Sequence, residues 1–600
     1  MPDLRNIAII AHVDHGKTTL VDQMLRQSGV FRANQQVDDL VMDSGELERE
    51  RGITILAKNT AIFWGDTKIN LVDTPGHADF GGEVERVLQM VDGALLLVDA
   101  FDGPMAQTRF VLRKAFENHL KTIVVINKVD RPGARPAEVQ DEVVSLFCEL
   151  EVPDHLLEFA VVYASGRDGW ASRGIGDERK DLRPLFEAIL KEIPPPGGDP
   201  AKPVRLSVAS IDYDSYVGRV AVGRLRDGTL SKGDEVMLID RKGNRRTDRA
   251  EKIMVFEKLG KKEVEEVSAG EICAVVGLER VEIGETICDP ASPTFIEVPP
   301  VEPPTISVIF TINTSPLAGT EGKFVQSRKL KERLYRERES DVALKVEETE
   351  SADSLKVSGR GTLHLGILME RLRREGYEFA VGKPEVILKG DEEPYERLTV
   401  DVKEEFASTV IGMITQRRGE LVSVLKRGDN VRQEFVIPAR GLIGLRTRML
   451  TATRGEAVMQ TLFEGYGPHR GNLPGRAAGV QVSMMAGKAV AFGLFGLKDR
   501  GPHFVKPGDP IYEGMVVGEH CRPEDITVNP CRTKKLTNMR ASGSDENVIL
   551  PPPRVFGVEE ALEYIEDDEL VEVTPKSIRL RKRILNESER RKREKAAARE

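Results

Sequence analysis

The sequence predicts a multidomain α/β protein: a doubly wound parallel-sheet domain, an antiparallel β-barrel, two compact α+β modules and a mixed α/β C-terminal domain. Three observations predict it. The 600 residues exceed what one hydrophobic core organises, and at roughly 100 to 200 residues per domain they point to about four or five units. Near the N-terminus, unbroken β-branched runs alternate with stretches of helical spacing, as βα units do. After a Pro- and Gly-rich break the pattern switches to period two, punctuated by DG and KG turns.

In order, NIAIIAHV reads as a strand buried on both faces and feeds into GKTTLVDQML, whose spacing is helical. KINLVDT and a helix from Phe80 to Met90 follow, then GALLLVDA and a helix through Val111 to Asn118, then KTIVVINKVD and another helix. IPPPGGDPAKP, Ile193 to Pro203, can continue neither helix nor central strand and marks a linker. The period-two stretch from VRLSVAS reads as a barrel to about Asp289, closed by PASPTFIEVPPVEPP. TISVIFTI with FVQSRKLKERLYRE, and RLTVDVKEEF with STVIGMITQRRGEL, pair strand-like with amphipathic helical runs, which suggests two α+β modules. Beyond YGPHRGNLPGR lies a last domain with a charged helical tail. The expected domains are residues 1–197, 203–293, 303–388, 393–475 and 476–600.

With 40% hydrophobic and 31% charged residues, no long uncharged apolar run and no signal-peptide pattern at MPDLRNIAII, the chain is expected in the cytoplasm with no membrane segment. Five cysteines without a C-x-x-C pair argue against a disulfide framework or zinc site. A net charge of −10 excludes coating nucleic acid through the overall field, but leaves local basic faces. SRKLKERLYRER, MERLRREG and RLRKRILNESERRKREK are such faces, each readable as a solvated helix surface. In CRTKKLTNMRASGSDEN, Arg532, Lys534, Lys535 and Arg540 come with no acid among them.

AHVDHGKTT, Ala11 to Thr19, stands at the first strand-to-helix junction, where a phosphate-binding loop lies. Backbone N–H groups and the positive helix end favour anionic oxygens, Lys17 reaches the β- and γ-phosphates, and the Thr18 hydroxyl can ligate Mg²⁺. In DTPGH, Asp73 can hold Mg²⁺, usually through water, and Gly76 lets its N–H approach a γ-phosphate. NKVD, Asn127 to Asp130, supplies base selectivity: the Asp130 carboxylate accepts two hydrogen bonds only from an edge with adjacent donors, such as guanine's N1–H and 2-amino group. In ASGRDG the Gly166 N–H can meet guanine O6 while Ser165 braces the turn. RERGITI offers a threonine, Thr54, that can close over the γ-phosphate and Mg²⁺. His77 sits where nucleotide-hydrolysing switches place the residue that orients the attacking water; the plain alternative is a helix-start histidine at an exposed turn.

With these residues assembled the chain resembles a translational GTPase, for AHVDHGKTTL, RERGITI, DTPGHADF and NKVD match that superfamily's motifs. GRGTLHLGILMERLRREGYEFAVGKPEV resembles the third domain of elongation factor G. EPYERLTVDVKEEFASTVIGMITQRRGEL and PARGLIGLRTRMLTATRGEAV resemble its fifth, and its fourth has no room between Val386 and Tyr395. GKAVAFGLFGLKDRG, YEGMVVGEH, KKLTNMRASGSDE and DDELVEVTPKSIRLRKR look like the C-terminal domain of the BipA/TypA ribosomal GTPases. The resemblance implies a P-loop GTPase domain, an antiparallel β-barrel, two ferredoxin-like α+β modules and a mixed α/β C-terminal domain.

Carried over by position, Asp14, His15, Gly16, Lys17, Thr18 and Thr19 with Asn127, Lys128 and Asp130 bind GTP or GDP. Thr18 and Thr54 ligate Mg²⁺, His77 positions water behind a hydrophobic gate of Val13 and Ile53, and Asp14 helps hold a monovalent cation. Two motifs depart from the superfamily pattern: Ala11 replaces Gly, and Ser165-Gly166-Arg167 replaces Ser-Ala-Leu. The implied partners are the ribosome's factor site, the large subunit and tRNA, with Lys534, Lys535, Asn538 and Arg540 set against RNA. Ribosome-stimulated hydrolysis and roles in large-subunit assembly, stress and cold adaptation come with it, and a monomer is the simplest state.

Two rivals are a carrier that delivers aminoacyl-tRNA and a signalling GTPase with a protein partner. The α+β modules do not resemble the paired barrels that clasp tRNA in carriers. The signalling reading lacks a lipidation motif and leaves the basic stretches without a role.

Overall fold

The computed structural model describes residues 3–12, 14–29, 46–52, 54–55, 57–75, 81–150, 152, 154–214, 217–298, 303–341, 343–427, 429–473, 475–533 and 549–597. They form two units, Met1–Glu302 with Glu339–Ala343, and Pro303–Arg338 with Leu344–Glu600.

In the first unit, strand β1 (Asp3–Ala11) carries Ile7, Ala8, Ile9 and Ile10, each at most 1% exposed, so the unbroken apolar run is covered on both faces. It joins β2 (Lys58–Trp64), β3 (Thr67–Asp73), β4 (Gly93–Asp99), β5 (Lys121–Asn127), β6 (Ala160–Ser165) and β7 (Trp170–Ser172) in the order β2-β3-β1-β4-β5-β6-β7. The five strands β3, β1, β4, β5 and β6 run parallel, and β2 and β7 close the edges antiparallel. Because the strands are parallel, their C-terminal ends and the loops that leave them lie along one edge, where α/β sheets bind ligands. Helix α1 (Lys17–Gln27) starts directly from the loop after β1, and α2 (Glu46–Arg51) precedes β2. The helices expected over Phe80 to Met90 and Val111 to Asn118 occupy Gly81–Leu88 and Ala106–Glu117.

Beyond the proline-rich linker, the strands between Arg205 and Cys288 form an eight-stranded antiparallel sheet and a two-stranded one around Leu206, Val208, Leu225, Leu238, Ile253 and Val275. Polar side chains join it to the parallel-sheet domain. Asn6 Nδ2 donates to the Gly270 carbonyl at 2.9 Å, Asn70 Nδ2 donates to Glu271 Oε1 at 2.8 Å, and Lys68 Nζ pairs with Glu271 Oε2 at 2.9 Å. Arg224 pairs with Asp92 at 2.8 Å. The Lys68–Glu271 and Arg224–Asp92 pairs are mostly buried, so each charge is desolvated and depends on its partner.

In the second unit, Glu392–Lys403, Glu420–Arg427, Asn430–Pro438 and Val458–Pro468 make a four-stranded antiparallel sheet. The helices Ala407–Gln416 and Leu445–Ala452 pack their buried Val410, Ile414, Leu445 and Met449 into one core with Leu398, Val400 and Phe435 of that sheet. The sequence places residues 303–388 and 476–600 in separate modules, whereas the structure joins their strands in one sheet. Phe379–Val381 pairs on one side with Phe310–Ile312 and on the other with Val571–Val573, and Phe310, Phe379, Val480, Val516, Leu562 and Val571 share one core. An unpaired strand edge there would leave backbone N–H and C=O groups without partners, so the two stretches complete each other. Arg476 holds Glu569 through two bonds of 2.9 Å, and Lys582 meets Asp568 at 2.7 Å and Glu569 at 2.9 Å, fixing the C-terminal strands.

All five cysteines are free thiols, with Cys273 and Cys288 buried. Among the described residues no helix is long and apolar enough to cross a membrane.

Candidate functional site

The loop between β1 and α1 turns sharply. Asp14 and Gly16 take φ of 65° and 85°, in the left-handed region that favours glycine. A Cβ on Gly16 would lie 2.6 Å from Asn127 Nδ2, so the glycine is required by close approach as well as by the turn. Asn127, at the end of β5 and 1% exposed, ties three loops together. Its Nδ2 donates to the His15 carbonyl at 2.9 Å and its Oδ1 accepts from the Gly166 N–H at 2.8 Å. That engagement differs from the expected use of the Gly166 N–H against guanine O6: here it braces Asn127.

Lys128, at φ 63°, sends its Nζ to the Asp14 carbonyl and to Asp99 Oδ2, the latter at 2.8 Å. Asp99 ends β4 with no solvent exposure. Burial works against its charge, but the Lys128 ammonium and the Phe101 N–H outweigh it and hold its carboxyl below the usual range. His15 is also buried, its Nδ1 3.3 Å from the Leu97 carbonyl. Burial first, and neighbouring His12 second, push its pKa down to about 3, so the ring is neutral and turned into the protein. What His15 offers the loop is its backbone.

Lys17 and Thr54 converge on Asp73. Lys17 Nζ lies 2.9 Å from Asp73 Oδ1 and also donates to the Thr74 carbonyl, and Thr54 Oγ1 is 3.4 Å from Asp73 Oδ2. All three side chains are nearly inaccessible to solvent. Thr18 and Thr19 are half-buried on the first turn of α1. Ser165, fully buried, donates from Oγ to Asp168 Oδ2 at 3.1 Å and accepts from the Asp168 N–H at 3.2 Å. Asp130 faces Arg167, whose Nη2 is 2.9 Å from Asp130 Oδ2.

This constellation can cradle a phosphate chain on the α1 N-terminus and present a carboxylate to a base. The chain is 50% identical over 596 residues to the large ribosomal subunit assembly factor BipA of Bacillus subtilis (strain 168), covering 98% of this chain and 97% of that one. It is 51% identical over 596 residues to the protein of the same name from Salmonella typhimurium, covering 98% of both. The chain belongs to the BipA/TypA family of translational GTPases.

A third BipA relative, from Synechocystis, is 51% identical over 584 residues, 96% of this chain and 98% of its own. Family descriptions cover much of the chain: the elongation factor Tu GTP binding domain at residues 2–195, elongation factor Tu domain 2 at 218–288, the elongation factor G C-terminus at 392–477 and the TypA/BipA C-terminal domain at 478–587. A crystal structure of a Thermus thermophilus protein, 19% identical, shares the fold with a TM-score of 0.53 over 78% of this chain and 98% of its own.

In this BipA/TypA member, sequence reasoning missed Asp99 and Glu48. Asp99 stands after a buried apolar run, as Asp73 does, and that parallel could have found it. Glu48, 5% exposed, accepts from the Ile55 N–H at 3.0 Å and pairs with Lys58 at 2.6 Å, yet nothing in the acidic and basic stretch ELERER distinguishes it. Val13, Ile53, Gly76 and His77 lie outside the described residues, as do Lys534, Lys535, Asn538 and Arg540.

Proposed function

We propose that this BipA/TypA family member hydrolyses GTP to GDP and phosphate as a switch that governs its binding to the ribosome, in large-subunit assembly or in translation under stress or cold. The observation that supports it best is the convergence of Lys17 and Thr54 on Asp73, because it links the phosphate-binding loop to the segment that would close over a γ-phosphate. The relatives' name, large ribosomal subunit assembly factor, supports the ribosomal partner.

Asp73 and Thr54 are hard oxygen donors buried side by side, and with the Thr18 hydroxyl they form a donor set that suits Mg²⁺. Mg²⁺ held there supplies neutralising charge for the phosphates. Lys17 exchanges Asp73 for phosphate oxygens, Asp130 reads the guanine edge, and Thr54 orders over the γ-phosphate. His77, screened by Val13 and Ile53, orients a water in line with the γ-phosphorus. Water adds, the bond to the β-phosphate oxygen breaks, and the ordered face relaxes. The basic stretch with Lys534, Lys535, Asn538 and Arg540 supplies RNA contacts.

His77→Ala tests this. Its GTP affinity should stay within a few-fold of wild type while ribosome-stimulated phosphate release is lost; full stimulated release by the variant would overturn the role of His77.

A further inference from the structure

Asp130 is the carboxylate that reads guanine in the function proposed above, and the structure shows it already paired. Arg167 Nη2 lies 2.9 Å from Asp130 Oδ2, while Arg167 Nε lies 3.0 Å and Nη2 3.5 Å from the two oxygens of Asp168. A guanidinium N–H donates to a carboxylate as guanine's N1–H and 2-amino group do, and here the Nη2 group meets Asp130 while Nε and Nη2 together face Asp168. Base and side chain therefore seek the same acceptor.

We propose that Arg167 is an affinity- and exchange-tuning residue that competes with guanine for Asp130. This rests on the guanine-nucleotide reading. When guanine takes Asp130, the guanidinium gives up that one contact and keeps its hold on Asp168, which is itself fixed by Ser165. The Asp130 side chain is 17% exposed and that of Arg167 75% exposed, so the pair sits at the rim of the site and can part without dragging a charge through the interior. Gly166 does not follow Arg167 outward, since its N–H is held by Asn127. The competition acts at the base, away from the phosphates. It therefore lowers affinity for GDP and GTP alike and speeds release of both, leaving their ratio unchanged.

The test is titration of the full chain with a fluorescent GDP and a fluorescent non-hydrolysable GTP analogue, for wild type, Arg167→Leu and Arg167→Lys. Arg167→Leu should bind both nucleotides tighter, on the order of two- to fivefold, chiefly through slower release, and the gap should narrow as salt screens the competing pair. Arg167→Lys, which keeps the charge but loses the fork, should fall between. In an Asp130→Asn background, titrated with xanthosine diphosphate, the Arg167→Leu effect should vanish, because the shared carboxylate is gone. Unchanged or weaker nucleotide binding by Arg167→Leu, or an effect that persists without Asp130, would overturn the proposal. Binding of GDP by wild type in the same titration tests the guanine-nucleotide reading separately.

Discussion

Lys17 Nζ lies 2.9 Å from Asp73 Oδ1, and both side chains are buried. A buried ion pair is sensitive to loss of one member, because the remaining charge stays desolvated without compensation. Lys17→Ala should therefore lower the stability of the first unit by about 3–5 kcal/mol as well as weaken nucleotide binding. Lys17→Ala with Asp73→Asn should recover part of the stability and none of the binding. Chemical denaturation checks the first effect and nucleotide titration the second; a Lys17→Ala protein as stable as wild type would refute the pairing.

His15 gives the first unit a pH dependence. The unfolded chain protonates this ring near the ordinary 6.5 and the folded one only near 3, so between those values the unfolded state binds more protons. Stability from this group is therefore lost as pH falls, by at most about 3 kcal/mol at pH 4. His15→Gln should show a shallower loss of stability between pH 6.5 and 4 in denaturation measured across that range. An acid slope identical to wild type would show that another group is responsible.

The basic stretch makes a prediction of its own through salt. Replacing Lys534, Lys535 and Arg540 with Ala should weaken ribosome binding and flatten the log–log salt dependence by about two to three units, with GTP affinity unchanged. Binding and slope equal to wild type would make the stretch solvated surface.

How far the sequence reached depended on the range of the interaction. Local signals carried the parallel sheet: Ile7 to Ile10 form one unbroken run because both faces of β1 are covered. NKVD marked Asn127, but not its bonds to His15 and Gly166, 112 and 39 residues away, which depend on how three loops meet. The shared sheet of the second unit was illegible for a related reason. Phe379–Val381 is three residues long, too short to display a period, and its partner strand is remote in sequence. Arg167 was visible as a departure from the family's pattern, yet only the distance to Asp130 gives that departure a physical meaning.

A guanine-nucleotide switch whose output is ribosome binding is open to direct test by co-sedimentation with ribosomes. The chain should pellet with ribosomes in the presence of a non-hydrolysable GTP analogue and largely stay in the supernatant with GDP. Absence from the ribosome pellet with either nucleotide would contradict it.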